Sequence, residues 1–156
     1  MSPRGNGPPP RLLAIASGGG HWVELMRLAP VFAEYDTAYV SMFDNYRALV
    51  NGRPCYVLPD ASRFRLITFI PIIWKSLVIL LRVRPNAVIT TGSAPMLPML
   101  ILARLLGIRT LWIDSIANPE MLSTSGKIAR SVAHHCVSQW SDVAGRERVE
   151  YWGCVL

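Results

Sequence analysis

Apolar residues along this chain come in short runs that break at glycine, proline or small polar residues, and most breaks are followed by apolar positions at helical spacing. The first run, Leu12 to Ala16, reads as a strand. It stops at Ser17 and passes through Gly18, Gly19 and Gly20 to His21 and Glu24, which fall on the first turn of a helix. Leu25, Met26, Leu28, Ala29 and Phe32 predict that helix from Trp22 to about Tyr35, with Pro30 kinking or shortening it. Thr37–Phe43 and Cys55–Leu58 read as strands, the second bounded by Pro54 and Pro59. Leu66–Leu81 is a nearly unbroken apolar run and predicts a helix. Asn86–Thr90 is a compact strand, the turn Thr91–Pro95 opens a helix over Met96–Leu106, and Gly107 ends it ahead of a strand at Ile108–Ile113. Small hydroxyl residues at Ser123–Ser125 start a helix to about Ala133, and Val137–Gln139 reads as a strand end. Ser141 is placed to cap a last helix toward Glu150, and Tyr151–Leu156 is extended.

Strands alternating with helices through short loops predict an α/β fold, an open and mainly parallel Rossmann-like sheet flanked by helices. The expected organisation is a disordered leader over residues 1–11, Gly- and Pro-rich and without the apolar segment of a signal peptide, then a single domain over 12–156. Ligands of such sheets bind beyond the carboxyl ends of the strands. Three loops should therefore meet: Ser17–His21, Thr91–Pro95 and Asp114–Asn118.

The glycine loop has the chemistry of an anion site. Its turn needs positive φ, and the helix N-terminus offers unpaired N–H groups to a phosphate. It is no P-loop, because His21 and Trp22 stand where a Lys-Ser or Lys-Thr pair would close one. A dinucleotide fingerprint lacks its third glycine, replaced by Val23, although Asp44 is placed to act as the ribose-binding acid. A plain strand-to-helix turn also accounts for the glycines alone. Asp114, directly after a strand, is placed to orient His21, to bind a sugar hydroxyl or to cap a turn.

Composition narrows the partners. The chain is 51% hydrophobic and 17% charged with a net charge of +6, and between Ala61 and Ile113 there are seven Lys or Arg and no Asp or Glu. A basic, greasy stretch of this kind favours anionic lipid or phosphate over nucleic acid, for which no basic recognition helix or aromatic RNA motif is present. Arg63, Arg65, Trp74, Lys75 and Arg82 in and around Leu66–Leu81 suit a membrane-associating helix near 66–82, lying among headgroups; a buried core helix is the competing reading. Lys75 and Pro71, with a run shorter than about 20 residues, argue against a spanning helix. Cys55, Cys136 and Cys154 are odd in number and widely spaced, which suits reduced thiols. Adjacent His134, His135 and Cys136 lack a second ligand pair, so no metal is expected.

The segments SGGGHWVELMRL, ITTGSAPMLPMLILARLLGI, DSIANPEMLSTSGKIA, VSQW and YWGCVL together resemble the membrane-associated subunit of two-part glycosyltransferases. That family includes the acceptor-side subunit of the eukaryotic UDP-GlcNAc transferase making dolichol-linked chitobiose, and bacterial capsule and exopolysaccharide counterparts. The glycine-histidine loop also looks like the acceptor half of the peptidoglycan GlcNAc transferase, a GT-B enzyme. The resemblance implies that the chain is equivalent to the N-terminal half of a GT-B enzyme at the cytoplasmic membrane face. It would transfer a sugar from a UDP-sugar to a polyprenyl diphosphate-linked acceptor, without cofactor, together with a soluble donor-binding subunit. By position, Gly18, Gly19, Gly20 and His21 match the family's loop, with Glu24 after it. Asp114 and Ser115 match its acidic-residue-and-serine pair, Ser125, Gly126 and Lys127 its Ser-Gly-Lys, and Gln139 and Trp140 its Gln-Trp. The family usually has Glu where Asp114 stands. On this reading His21 is the general base, its tautomer fixed by Asp114 or Glu24. The acceptor diphosphate is bound by the glycine loop, Thr91, Gly92, Ser93, Ser115 and Ser125–Lys127, helped by Arg63 and Arg65. Gln139, Trp140, Tyr151 and Leu156 face the partner. The rivals are a non-catalytic membrane anchor that activates another enzyme, and a nucleotide- or NAD-binding domain.

Overall fold

The structure, a computed structural model, describes residues 7–59 and 69–155. Arg63, Arg65 and Leu156 lie outside the described residues, as does the start of the apolar run at Leu66.

Seven strands form one sheet in the order β3-β2-β1-β4-β5-β6-β7: β1 (Arg11–Ile15), β2 (Asp36–Ser41), β3 (Cys55–Val57), β4 (Ala87–Thr90), β5 (Arg109–Ile113), β6 (His135–Ser138) and β7 (Glu150–Tyr151). Every pairing is parallel. The expected mainly parallel sheet is thus wholly parallel among the described strands, and its edge strand β7 shares only Tyr151 with the piece expected to be extended. The first strand begins at Arg11, inside the stretch read as leader.

Alternation along β1 builds two cores. Leu13 and Ile15 point to one face, where they join Ile72, Leu80, Met99, Leu100 and Trp112. Leu12, Ala14 and Ala16 point to the other, against Trp22, Leu25 and Phe32. Both faces of a parallel sheet must be covered, and this strand is apolar throughout for that reason. The first face is covered by α3 (Phe69–Val83), α4 (Leu97–Leu105) and α5 (Thr124–Val132). The second is covered by α1 (Gly19–Arg27) and α2 (Ala29–Phe32), while α6 (Ser141–Glu147) packs on β6 and β7.

Two helix expectations change in detail. The helix over Trp22–Tyr35 is two helices, because Pro30 lacks the N–H that a continuous helix needs and instead sits in the first turn of α2. Ser141 does not cap the last helix: β6 ends early enough that Trp140 takes the cap position and Ser141 is already helical, its hydroxyl 3.5 Å from Asp142.

Helix α3 buries Ile72, Ser76, Ile79 and Leu80 in the core and exposes Ile70, Ile73, Trp74, Val78 and Leu81 on the opposite side. Trp74 is 68% exposed. Lys75 and Arg82 are also exposed. Beside α3, α4 exposes Leu105 and Leu106. The core reading of this helix describes one of its faces, and the other is bare. Among the described residues no helix is long and apolar enough to cross a membrane.

Candidate active site

The strand order reverses direction between β1 and β4, so the loops leaving their carboxyl ends diverge and open a crevice. The glycine loop leaves β1 and Thr91–Pro95 leaves β4, and the two are joined by a reciprocal clasp. His21 Nδ1 lies 2.8 Å from the Thr91 carbonyl oxygen, and Thr91 Oγ1 donates to the His21 carbonyl at 2.7 Å. Since a carbonyl only accepts, Nδ1 carries the proton and the neutral ring leaves Nε2 as its acceptor. Gly92, at φ +107, lies under the ring: a Cβ there would stand 2.9 Å from His21 Cε1. Only glycine lets the imidazole settle on this backbone.

The glycine loop is walled by aromatics that the sequence reading did not single out. Gly18 sits against Phe43, whose ring a Cβ would meet at 2.6 Å, and the Gly19 amide donates to the Tyr46 hydroxyl at 2.8 Å. Tyr46 stacks on Trp22 with ring centroids 4.5 Å apart. Gly19 and Gly20 are exposed. With α1 starting at Gly19, the Gly20 and His21 amides stand in its first turn, where no preceding turn supplies a carbonyl. Phe43 and Tyr46 border a short 3-10 turn, which has no periodic signal. Asp44, the candidate ribose acid, is ion-paired with Arg47 at 3.1 Å in that turn.

The two acids do not orient His21. Asp114 is buried and accepts four hydrogen bonds: Trp112 Nε1 and Ser123 Oγ at Oδ1 (3.1 and 2.6 Å), Asn118 Nδ2 and the Ser123 amide at Oδ2 (3.1 and 2.9 Å). Its carboxylate is spent on shaping the loop between β5 and α5. Ser123 Oγ in turn caps α5 through the Gly126 amide at 2.8 Å. A Cβ on Gly126 would fall 2.5 Å from Asp114 Oδ1, so this glycine is a close-packing residue, and it is buried. Glu24 is 5% exposed, and its carboxylate accepts Ser115 Oγ at 2.7 Å and Gln139 Nε2 at 2.8 Å.

Gln139, expected at a partner surface, is instead internal. Its amide nitrogen also donates to the Asp114 carbonyl, and its Oε1 accepts the Val155 amide at 2.9 Å. Arg27 Nη1 donates to the Val155 carbonyl at 2.9 Å. The C-terminal segment is therefore tied to α1, a contact across the whole chain that no local pattern announces. Trp140, Tyr151 and Trp152 are exposed along that edge.

Of the expected phosphate-binding residues, Thr91, Gly92 and Ser115 are buried, while Gly19, Gly20 and Lys127 are exposed and Ser93 and Ser125 are half-buried. His134 bonds Thr110, His135 pairs with Glu150, and Cys136 is buried with its thiol pushed up to about 12 by burial and then by the Asp114 carboxylate.

The family model described as "Oligosaccharide biosynthesis protein Alg14 like" matches residues 59–155, more than half of the chain. The chain belongs to the Alg14 family. Among curated Alg14 relatives, the mouse protein named UDP-N-acetylglucosamine transferase subunit ALG14 is 28% identical over 83% of this chain and 75% of its own length. The Eremothecium gossypii protein of the same name is 25% identical, over 95% and 80% respectively. Among solved structures, Acinetobacter baumannii MurG superposes with a TM-score of 0.72 at 16% identity, covering 86% of this chain and 43% of MurG. The UDP-N-acetylglucosamine 2-epimerase of Rickettsia bellii gives 0.71 at 15% identity, over 90% and 41%. This Alg14-family chain thus has the expected fold, that of the N-terminal-like domain of GT-B glycosyltransferases, and spans less than half of each of those chains.

Proposed function

We propose that the chain is the acceptor-side subunit of a two-component UDP-GlcNAc transferase of lipid-linked oligosaccharide synthesis. The observation that carries this reading is the His21–Thr91 clasp at the topological switch point, which fixes the histidine on the loop whose Gly19 and Gly20 are exposed. The acceptor diphosphate lies on the Gly20 and His21 amides, with the exposed Lys127 in the first turn of α5 as its counter-charge, and Tyr46 forms the wall. The acceptor hydroxyl attacks the anomeric carbon of the donor. As the new C–O bond forms, the bond to UDP breaks, UDP leaves with the electron pair, and the hydroxyl proton passes to His21 Nε2. A soluble partner chain holds the UDP-sugar and stabilises the leaving diphosphate. The curated relatives, named as UDP-N-acetylglucosamine transferase subunits, favour UDP-GlcNAc as donor.

The exposed apolar stripe of α3, bordered by Lys75 and Arg82, supports peripheral attachment at the cytoplasmic membrane face, where a polyprenyl acceptor resides. The partner docks on the edge carrying Trp140, Tyr151 and Trp152.

The test is to purify the tagged chain from its host in mild detergent and assay transfer from UDP-GlcNAc to a polyprenyl diphosphate-linked GlcNAc acceptor, with and without the co-purifying chain. Turnover that requires both chains is the expected result. Turnover by this chain alone would refute the division of labour.

A further inference from the structure

The glycine loop occupies the carboxyl ends of the strands, and a separate concavity opens at the opposite end of the sheet. It has a volume of about 700 Å³ and is lined by Arg11, Arg53 and Arg84 together with Tyr35, Asp36 and Asn86. Ligand sites typically enclose about 300–1,000 Å³. The three arginines arrive from β1, from the turn before β3 and from the end of α3. Each is pinned by one nitrogen to backbone: Arg11 Nη1 to the Val83 carbonyl at 3.2 Å, Arg53 Nη1 to the Phe32 and Tyr35 carbonyls at 3.3 and 3.1 Å, and Arg84 Nε to the Leu81 carbonyl at 3.4 Å. A guanidinium has more donors than that one nitrogen supplies, so each head is fixed in place with hydrogen-bonding capacity to spare. The acid in the lining, Asp36, is more than half exposed and stands 3.9 Å from Arg11 Nε, a weak pairing.

Capping the last carbonyls of α2 and α3 explains one nitrogen of each arginine. It does not explain Arg84. That residue follows the end of α3 with φ +49 and donates its amide to the Leu80 carbonyl, the position and conformation in which glycine ends a helix without strain. A long L side chain is disfavoured there, and a strained position of this kind persists where its side chain has a use. The lining carries three cations against the one carboxylate of Asp36, an excess of positive charge that an anion would offset.

We propose that this cavity binds a phosphoryl group, either of a free phosphate or diphosphate or of an anionic lipid headgroup. Arg84 and the Val83 carbonyl that holds Arg11 both lie at the foot of α3, so a headgroup seated here would sit at the end of its exposed apolar stripe. The site stands independently of the acceptor reading, because none of its residues belongs to the glycine-loop crevice.

The experiment uses the full chain in mild detergent. Inorganic pyrophosphate is titrated at constant ionic strength and followed by thermal shift, and binding is compared for vesicles of phosphatidylcholine alone and with phosphatidic acid. Arg84→Gly should melt at or above the parent temperature without ligand, since it relieves the backbone, yet bind pyrophosphate about tenfold more weakly, as expected for a lost charge-assisted hydrogen bond. Arg53→Lys, which keeps the charge but loses the fork, should also weaken binding. Arg84-dependent preference for phosphatidic acid vesicles would identify a headgroup as the source; Arg84-dependent pyrophosphate binding without it would identify free phosphate. Equal responses of parent and Arg84→Gly in both assays would overturn the proposal and leave the arginines as helix caps. So would an Arg84→Gly protein that melts well below the parent.

Discussion

His21 takes its orientation from a backbone carbonyl, and this changes which neighbours matter. The Thr91 carbonyl accepts from Nδ1 and so fixes the ring's orientation, while Asp114 and Glu24 are engaged with other donors. Gly92 is then as important as any polar group. Gly92→Ala forces a Cβ against the imidazole from a left-handed backbone, and should destabilise the fold by about 2 kcal/mol while lowering transfer more than that loss explains. Thr91→Val keeps the carbonyl and loses the hydroxyl clasp, so a loss of turnover on the order of tenfold with folding nearly intact is expected; melting curves alongside kcat separate the two. The thiols give a check on burial. Cys154 is exposed and should label readily in the native protein, whereas Cys136, buried with its thiol pushed up to about 12, should label only on unfolding, as peptide mass spectrometry would read. At this scale the sequence marked the glycine turn, whose residue type announces the positive φ found at Gly18 and Gly19. It hid the roles of Asp114 and Glu24, because a carboxylate's function depends on which donors surround it, and those come from as far as Gln139.

Among the elements, α3 carries the least ambiguous pattern and the most ambiguous meaning. An apolar run has no polar face to say which side is covered, so periodicity alone left core and membrane surface open; the structure assigns one face to the core and leaves the other bare. Trp74→Gln with Val78→Gln should therefore leave the melting temperature nearly unchanged and weaken vesicle binding several-fold in a sedimentation assay, whereas Ile72→Ala should cost about 3 kcal/mol of stability. Strands β1, β4 and β5 were legible because continuous apolar runs bounded by turns mark buried parallel strands. The break between α1 and α2 was signalled by Pro30. The edge strand β7 and the Arg27–Val155 contact were not, since both depend on where the C-terminal segment comes to rest.

For the whole molecule, the order of strands matters more than any single motif. Placing β1 beside β4 brings the first and the fourth strand-end loops together, which is why residues seventy apart in sequence share one hydrogen-bonded clasp. The same arrangement puts the glycine-loop crevice at one end of the sheet and the arginine-lined cavity at the other, with α3 running between as the apolar flank. On the proposed reading, a domain so organised takes its donor sugar from a partner chain. The role proposed for it is to hold the acceptor and take its proton. The most direct test is steady-state transfer by the assembled two-chain enzyme carrying His21→Ala. Loss of about 10²- to 10⁴-fold in kcat with the KM for UDP-GlcNAc unchanged is predicted for the general base of the acceptor half. Full turnover by His21→Ala would contradict it and leave this chain as an anchor that recruits a complete enzyme.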